Sequence, residues 1–215
     1  MVILGLTGSI GMGKSTAAGM LRGLGVPVCD SDAVVHAALA KGGAAVPRIA
    51  AAFEGAVVDG AVDRQKLGAA VFGDTPALRR LEAILHPMVR DAQLAFLRRE
   101  SARRTPVAVL DVPLLFESGT DARCDATIVV TAPRFLQEQR VLARPGMTRE
   151  RFDSVLARQL PDATKRRLAD FVVQSGLGRR HSLRRLEAIV RLARRWPGCK
   201  WPPRNAPVRS RRGML

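Results

Sequence analysis

Gly8-Ser9-Ile10-Gly11-Met12-Gly13-Lys14-Ser15, followed by Thr16, fills every fixed position of the spacing G-x-x-x-x-G-K-[ST]. The chemistry this spacing supports is the holding of a polyphosphate. Glycines at Gly8, Gly11 and Gly13 let backbone N–H groups turn inward around phosphate oxygens. Lys14 is spaced to reach the β- and γ-phosphates of a nucleoside triphosphate, and Ser15 to offer its hydroxyl to Mg²⁺. A glycine turn that carried Lys-Ser by coincidence would not need particular flanks. Here Val2-Ile3-Leu4-Gly5-Leu6 reads as a short buried strand before the loop. After it Ala17, Met20, Leu21 and Leu24 recur at helical spacing, with Gly25 as the stop. A helix that starts at the loop adds positive potential where phosphates would lie.

Three acids could serve such a loop. Val26-Pro27-Val28-Cys29 reads as a second strand that delivers Asp30-Ser31-Asp32, and Pro106 to Pro113 as a third that delivers Asp111. In a parallel sheet all of them would gather at the carboxyl edge, beside the terminal phosphate. One of Asp30 and Asp32 can face the cleft and accept a hydroxyl proton, or both can cap the following helix. Asp111 can hold Mg²⁺ through water or act as a turn residue before Pro113. His86, inside an apolar helical face, has a plain structural role open to it. Arg140, Arg144, Arg151 and Arg158 follow the fourth strand, where guanidinium forks could close over phosphate oxygens as a lid.

The elements that must position these groups follow from periodicity. Ala126 to Thr131 is a fourth strand and Phe171-Val172-Val173 a fifth. Short apolar strands alternating with helices predict an α/β fold with a parallel sheet and flanking helices. An Ala-rich helical stretch runs from Ala33 to about Phe53, interrupted at Gly42-Gly43 and Pro47. Glu54 to Gly60 reads as a turn, and helices resume over Arg64–Phe72 and Thr75–Arg104. This run, about 33–104, is too long for a simple crossover and predicts an inserted, acceptor-facing subdomain. Helices from Pro133, from Thr148 and from Asp162 make up the lid, about 134–168, and His181 to Trp196 closes the domain as an amphipathic helix. From Pro197 the composition turns to Pro, Arg and Gly without period, so 197–215 reads as a basic, disordered tail beyond a 1–196 domain.

Composition narrows the function further. At 215 residues and 47% hydrophobic, the chain can bury a core, and no apolar run nears the ~20 residues that span a bilayer. Strand and loop fill the N-terminus where a signal peptide would lie. Cys29, Cys124 and Cys199 form no C-x-x-C pair, which predicts reduced thiols in a cytoplasmic protein. The net charge is +16, but Arg179 to Leu215 holds twelve Lys and Arg against the single acid Glu187, leaving only +5 for the residues before it. A nucleic-acid-binding ATPase would suit that charge. Its stacking platforms, however, are scarce, with 4% aromatics and no Tyr. No N/T-K-x-D base-reading motif is present for a GTPase, and a nucleoside monophosphate kinase would share the loop alone.

The chain from Val2 to about Ala193 resembles the dephospho-coenzyme A kinase family, a family of P-loop kinases. The resemblance is carried by Gly5 to Thr16, Asp30-Ser31-Asp32, Leu85-His86-Pro87, Asp111-Val112-Pro113-Leu114-Leu115-Phe116-Glu117, Gln137 to Arg140 with Arg144, Arg158-Gln159 and Ala169 to Val173. It implies a five-stranded parallel sheet with a helical substrate-binding insertion and a helical lid. It also implies transfer of the γ-phosphoryl group of ATP, with Mg²⁺, to the ribose 3′-hydroxyl of dephospho-CoA. By resemblance Asp32 is the general base, with Lys14 and Arg140 as catalytic cations. Gly8, Gly11, Met12, Gly13, Lys14, Ser15, Thr16 and Arg144 hold the donor, and Ser15 and Asp111 the metal. Asp32, His86, Leu114 and Glu117 meet the acceptor. Nucleic acid and membrane are not implied as partners. The chain departs from the family pattern at Ser9, usually Gly, at Met12, usually Ser, and at Gln174-Ser175-Gly176, where Asp-Asn is common.

Overall fold

β1 (Val2–Thr7) is buried throughout and is the centre of the sheet. Alternate side chains go to opposite faces. Val2, Leu4 and Leu6 enter one apolar cluster with Leu21, Ile128, Leu186 and Val190, while Ile3 enters a second with Phe96, Leu97, Leu110 and Leu115. A strand covered on both faces must be apolar on both, as this one is. The computed structural model describes residues 1–202.

After the glycine loop comes α1 (Lys14–Gly23), then β2 (Val28–Asp30) and α2 (Ser31–Leu39). α3 (Val46–Ala52), a two-residue hairpin of β3 (Val57–Val58) and β4 (Ala61–Val62), and α4 (Arg64–Val71) build the insertion. α5 (Thr75–Ala102) returns the chain to β5 (Val107–Asp111). β6 (Ala126–Thr131) precedes α6 (Arg134–Leu142), α7 (Arg149–Ala157) and α8 (Asp162–Leu168), and β7 (Phe171–Gln174) and α9 (Arg179–Ala193) complete the domain. The five-stranded sheet has the order β2-β5-β1-β6-β7, every pair parallel.

Register fixes where the acids fall. Asp30 pairs with Asp111, and Asp111 with Leu6, so both acids stand level with the strand end that launches the loop. At the far side Asp170 accepts hydrogen bonds from the Thr127 N–H at 2.8 Å and its hydroxyl at 2.9 Å, which pins β7 to β6.

The insertion has its own small core of Leu39, Ile49, Phe53, Val62, Leu67 and Val71. α5 belongs to both bodies. Ala77 near its start packs in the insertion, and Phe96 and Leu97 near its end pack under the sheet. At 28 residues it is about 42 Å long. Pro87 lies inside it without ending it. Pro47 likewise does not break a helix; it occupies the first turn of α3, where its missing N–H has no partner to lose. The expected turn over Glu54–Gly60 is in part the β3–β4 hairpin. Asp59 and Gly60 both have positive φ, 50° and 77°, as a two-residue hairpin turn requires.

The tail needs a correction at its start. Cys199 and Lys200 donate their backbone N–H groups to Asp125 Oδ1 at 2.5 and 3.0 Å, and Trp201 packs against the second core cluster. Asp125 Oδ2 accepts the Ile3 N–H at 2.7 Å, so one carboxylate ties the segment after α9 to the central strand. The rest of the expected disordered tail, 203–215, lies outside the described residues. Among the described residues no helix is long and apolar enough to cross a membrane.

Asp125 sits at the amino ends of the strands, across the sheet from the loop. Asp125→Ala should therefore lower unfolding stability by about 1–3 kcal/mol while leaving turnover unchanged. Chemical denaturation beside a kinase assay checks this, and an unmoved unfolding midpoint would contradict it.

Candidate active site

The loop and its surroundings enclose a cavity of about 560 Å³ lined by Gly8 to Ala17, with Met12 set behind the wall, and by Asp32, Arg140, Arg144, Gln159, Ser175 and Arg179. Gly11 and Gly13 have φ of 77° and 93°, a conformation in which a Cβ is strained, so glycine is required at both. α2, α4, α5 and α7 each begin with a side-chain cap from Asp30, Asp63, Asp74 or Thr148. α1 begins at Lys14 with no side-chain cap among the described residues. Its first N–H groups are left for a ligand, and the helix dipole favours an anion there. Ser15 and Thr16 line the same wall.

Lys14 Nζ lies 2.7 Å from Asp111 Oδ1 and 3.9 Å from Asp32 Oδ2. Asp111 is 2% exposed, and burial raises its carboxyl above the usual range while Lys14 pulls it back down. Asp32 is also raised, first by desolvation in the cleft, against the pull of Lys14, with the Asp30 charge adding to the rise. The two acids of Asp30-Ser31-Asp32 divide the alternatives between them. Asp30 accepts the Ala33 N–H at 3.1 Å and caps α2. Asp32, the second residue of that helix, lines the cavity.

The lid meets the loop through its backbone. Gln137 Nε2 donates to the Ile10 carbonyl at 2.8 Å, and the Ile10 N–H donates to Gln159 Oε1 at 3.1 Å. Two lid residues thus hold both polar groups of one loop residue. Arg140 Nη1 donates to Ser175 Oγ at 3.0 Å and reaches the Gly11 carbonyl at 3.5 Å. Arg144 lines the cavity without a partner among the described residues' ion pairs. At the lid's other end Arg158 stands over the Phe72 ring of the insertion, 5.7 Å from its centroid.

Glu117, His86 and Leu114 lie outside this cavity wall. The Glu117 carboxylate takes the Leu160 N–H at 2.8 Å and the wholly buried Lys165 ammonium at 2.9 Å, so it props the lid against the segment after β5. His86 is exposed on α5, and Leu114 is 39% exposed beside Pro113. Met12, a departure from the family pattern, is 3% exposed, and its sulfur accepts the Ala132 N–H at 3.1 Å. That hydrogen bond fastens the loop to the end of β6. Ser175, Arg179 and Ser182 also line the cavity and carry no motif that spacing alone would single out.

A parallel sheet, an uncapped glycine loop carrying Lys-Ser, and a lid with arginines turned to the same cavity define an ATP-dependent phosphotransferase. The model of the family "Dephospho-CoA kinase" matches residues 2–178. The dephospho-CoA kinase of Paramagnetospirillum magneticum is 63% identical over 194 residues, covering 90% of this chain and 92% of that one. That of Rhodospirillum rubrum is 56% identical over 194 residues, with the same coverage of each chain. Among solved structures, TT1252 from Thermus thermophilus is 39% identical with a TM-score of 0.76, over 89% of this chain and 97% of that one. Dephospho-CoA kinase from Campylobacter jejuni shares the fold, at TM-score 0.58 and 22% identity, over 89% of this chain and 96% of its own. The chain belongs to the dephospho-CoA kinase family.

The Asp30 charge can be separated from its cap. Asparagine caps a helix as well as aspartate does, so Asp30→Asn should keep α2 intact while removing one cause of the raised Asp32 carboxyl. Loss of a raising charge lowers that pKa, so, with Asp32 as the base proposed below, the acid limb of kcat/KM should move to lower pH. A pH–rate profile of variant and wild type tests it; a limb that stays or moves up would count against the cause assigned here.

Proposed function

We propose that this kinase phosphorylates the ribose 3′-hydroxyl of dephospho-CoA, and that Asp32, Lys14 and Arg140 divide the work. The observation that carries the division is the Asp32 carboxylate standing 3.9 Å from Lys14 in the cavity of the glycine loop. The acceptor hydroxyl gives its proton to Asp32 as its oxygen attacks the γ-phosphorus. The bond from that phosphorus to the β,γ-bridging oxygen breaks, and ADP leaves.

Lys14 meets the β- and γ-phosphates, exchanging its resting partner Asp111 for the donor. Arg140 and Arg144 take the charge that spreads over the transferring group, and the backbone N–H groups of Gly11, Gly13, Ser15 and Thr16 hold the rest. The donor set fits Mg²⁺: a hydroxyl at Ser15 and a carboxylate at Asp111 are hard oxygens, and no cage of three His, Cys, Asp or Glu exists among the described residues. Bound there with the phosphates, Mg²⁺ would neutralise charge on the β- and γ-oxygens. Through its insertion the enzyme receives the acceptor, with His86 and Leu114 as contacts, while Glu117 serves the acceptor by holding the lid. A cytoplasmic location fits three free cysteines, two of them buried.

Purified protein with Mg·ATP should form ADP only when dephospho-CoA is present. Asp32→Asn should still bind ATP and lose about 10²–10⁴ in kcat. ADP formation that ignored dephospho-CoA and answered instead to DNA or RNA would overturn the assignment.

A further inference from the structure

Ser175 follows β7 where the family pattern commonly has another residue, and nothing in the mechanism above uses it. Its hydroxyl donates to the Met12 carbonyl at 2.7 Å, inside the glycine loop. The same oxygen accepts from Arg140 Nη1 at 3.0 Å, and the Ser175 carbonyl accepts from Nη2 at 3.4 Å. A serine hydroxyl has one proton to give and lone pairs to receive, so both bonds can exist together. A Cβ placed on Gly13 would stand 3.2 Å from both Ser175 Cβ and Oγ, tighter than ordinary contact, so the loop glycine leaves this hydroxyl its place. Three separate parts of the chain therefore meet at one oxygen: the loop, the lid helix α6 and the turn after β7.

We infer that Ser175 is a positioning residue for Arg140, setting the guanidinium at the height of the phosphates by anchoring it to the loop that holds them. An arginine on α6 has many rotamers, and fixing them costs entropy each time the group is used. Two acceptors from one residue present a fork to two guanidinium nitrogens and select one orientation. Because the hydroxyl is itself tied to Met12, that orientation is defined relative to the phosphate loop and not only to the lid. Without that tie, a shift of the lid against the loop would misplace Arg140 by the same amount, which makes turnover sensitive to this single oxygen.

This inference rests on the role given to Arg140 above, and a double-mutant cycle separates the two. Ser175→Val and Ser175→Thr differ only in the hydroxyl. The valine variant should lose about tenfold in kcat, as expected for a hydrogen bond to a charged group, and the threonine variant should regain most of it. In an Arg140→Ala background Ser175→Val should cost nothing further, since the group it positions is gone. A tenfold loss repeated in that background, or a valine variant with wild-type kcat, would overturn the inference while leaving Arg140 catalytic. Wild-type kcat in Arg140→Ala alone would remove the reading of Arg140 and this inference with it.

Discussion

The ion pair between Lys14 and Asp111 is the constraint around which the domain is arranged. Asp111 ends a strand buried on both faces and is 2% exposed, so its carboxylate has lost nearly all its water. A charge in that position is tolerated only if another charge and good hydrogen bonding replace the solvent. Lys14 provides both at 2.7 Å, from the first residue of α1. To reach it, the chain leaving β1 must turn sharply enough to start a helix after only six intervening residues. That demand explains the positive φ at Gly11 and Gly13 and the uncapped start of α1. The same charge pair thus leaves backbone donors and a lysine pointed at one volume.

Around this centre the site is assembled from the sheet, the insertion with its own apolar core, and the α6–α8 segment. The sheet contributes the loop, the insertion lies across α5, and the lid rests on Gln137, Gln159 and the buried Lys165. Apolar packing along α5 joins the insertion to the sheet, while the lid meets the loop through hydrogen bonds from Gln137 and Gln159. Apolar packing holds each body together, and hydrogen bonds with defined direction set how lid and loop meet. The pairing of Arg158 with Phe72 extends this to the insertion, so that all three bodies touch around the cavity.

What could be read from sequence was local. The strands, the loop and the long α5 declare themselves because their signals span fewer than thirty consecutive residues, and the inserted subdomain follows from the distance between the second and third predicted strands. The β3–β4 hairpin was not legible: strands of only two residues on either side of Asp59-Gly60 leave no alternation to detect, and the sequence reads there only as a turn. The side-chain hydrogen bonds that Lys14, Ile10 and Met12 make span 97 to 163 residues. No periodicity encodes such pairs; they exist only once the sheet order is known. Glu117 shows the cost, since its type and motif gave it to the acceptor and its geometry gives it to Lys165.

Charge follows the same division between local and assembled. Most of the +16 falls late in the sequence, which on its own points to a surface separate from the chemistry. In the fold, α9 begins at the cavity, and Arg179 and Ser182 line it beside Lys14, Arg140 and Arg144. The basic segment therefore enters the site at its first residue and leaves it within one turn, with Arg180, Arg184, Arg191 and Arg195 exposed along the outer face. Four cations set against Asp32 and the Lys14-paired Asp111 leave the cavity net positive, a favourable place for a polyphosphate before any contact forms. The outer arginines add to that field at a distance that salt screens within about 10 Å. The arginines that line the cavity thus come from α6, from the segment after it and from the start of α9, wherever in the sequence the fold finds them.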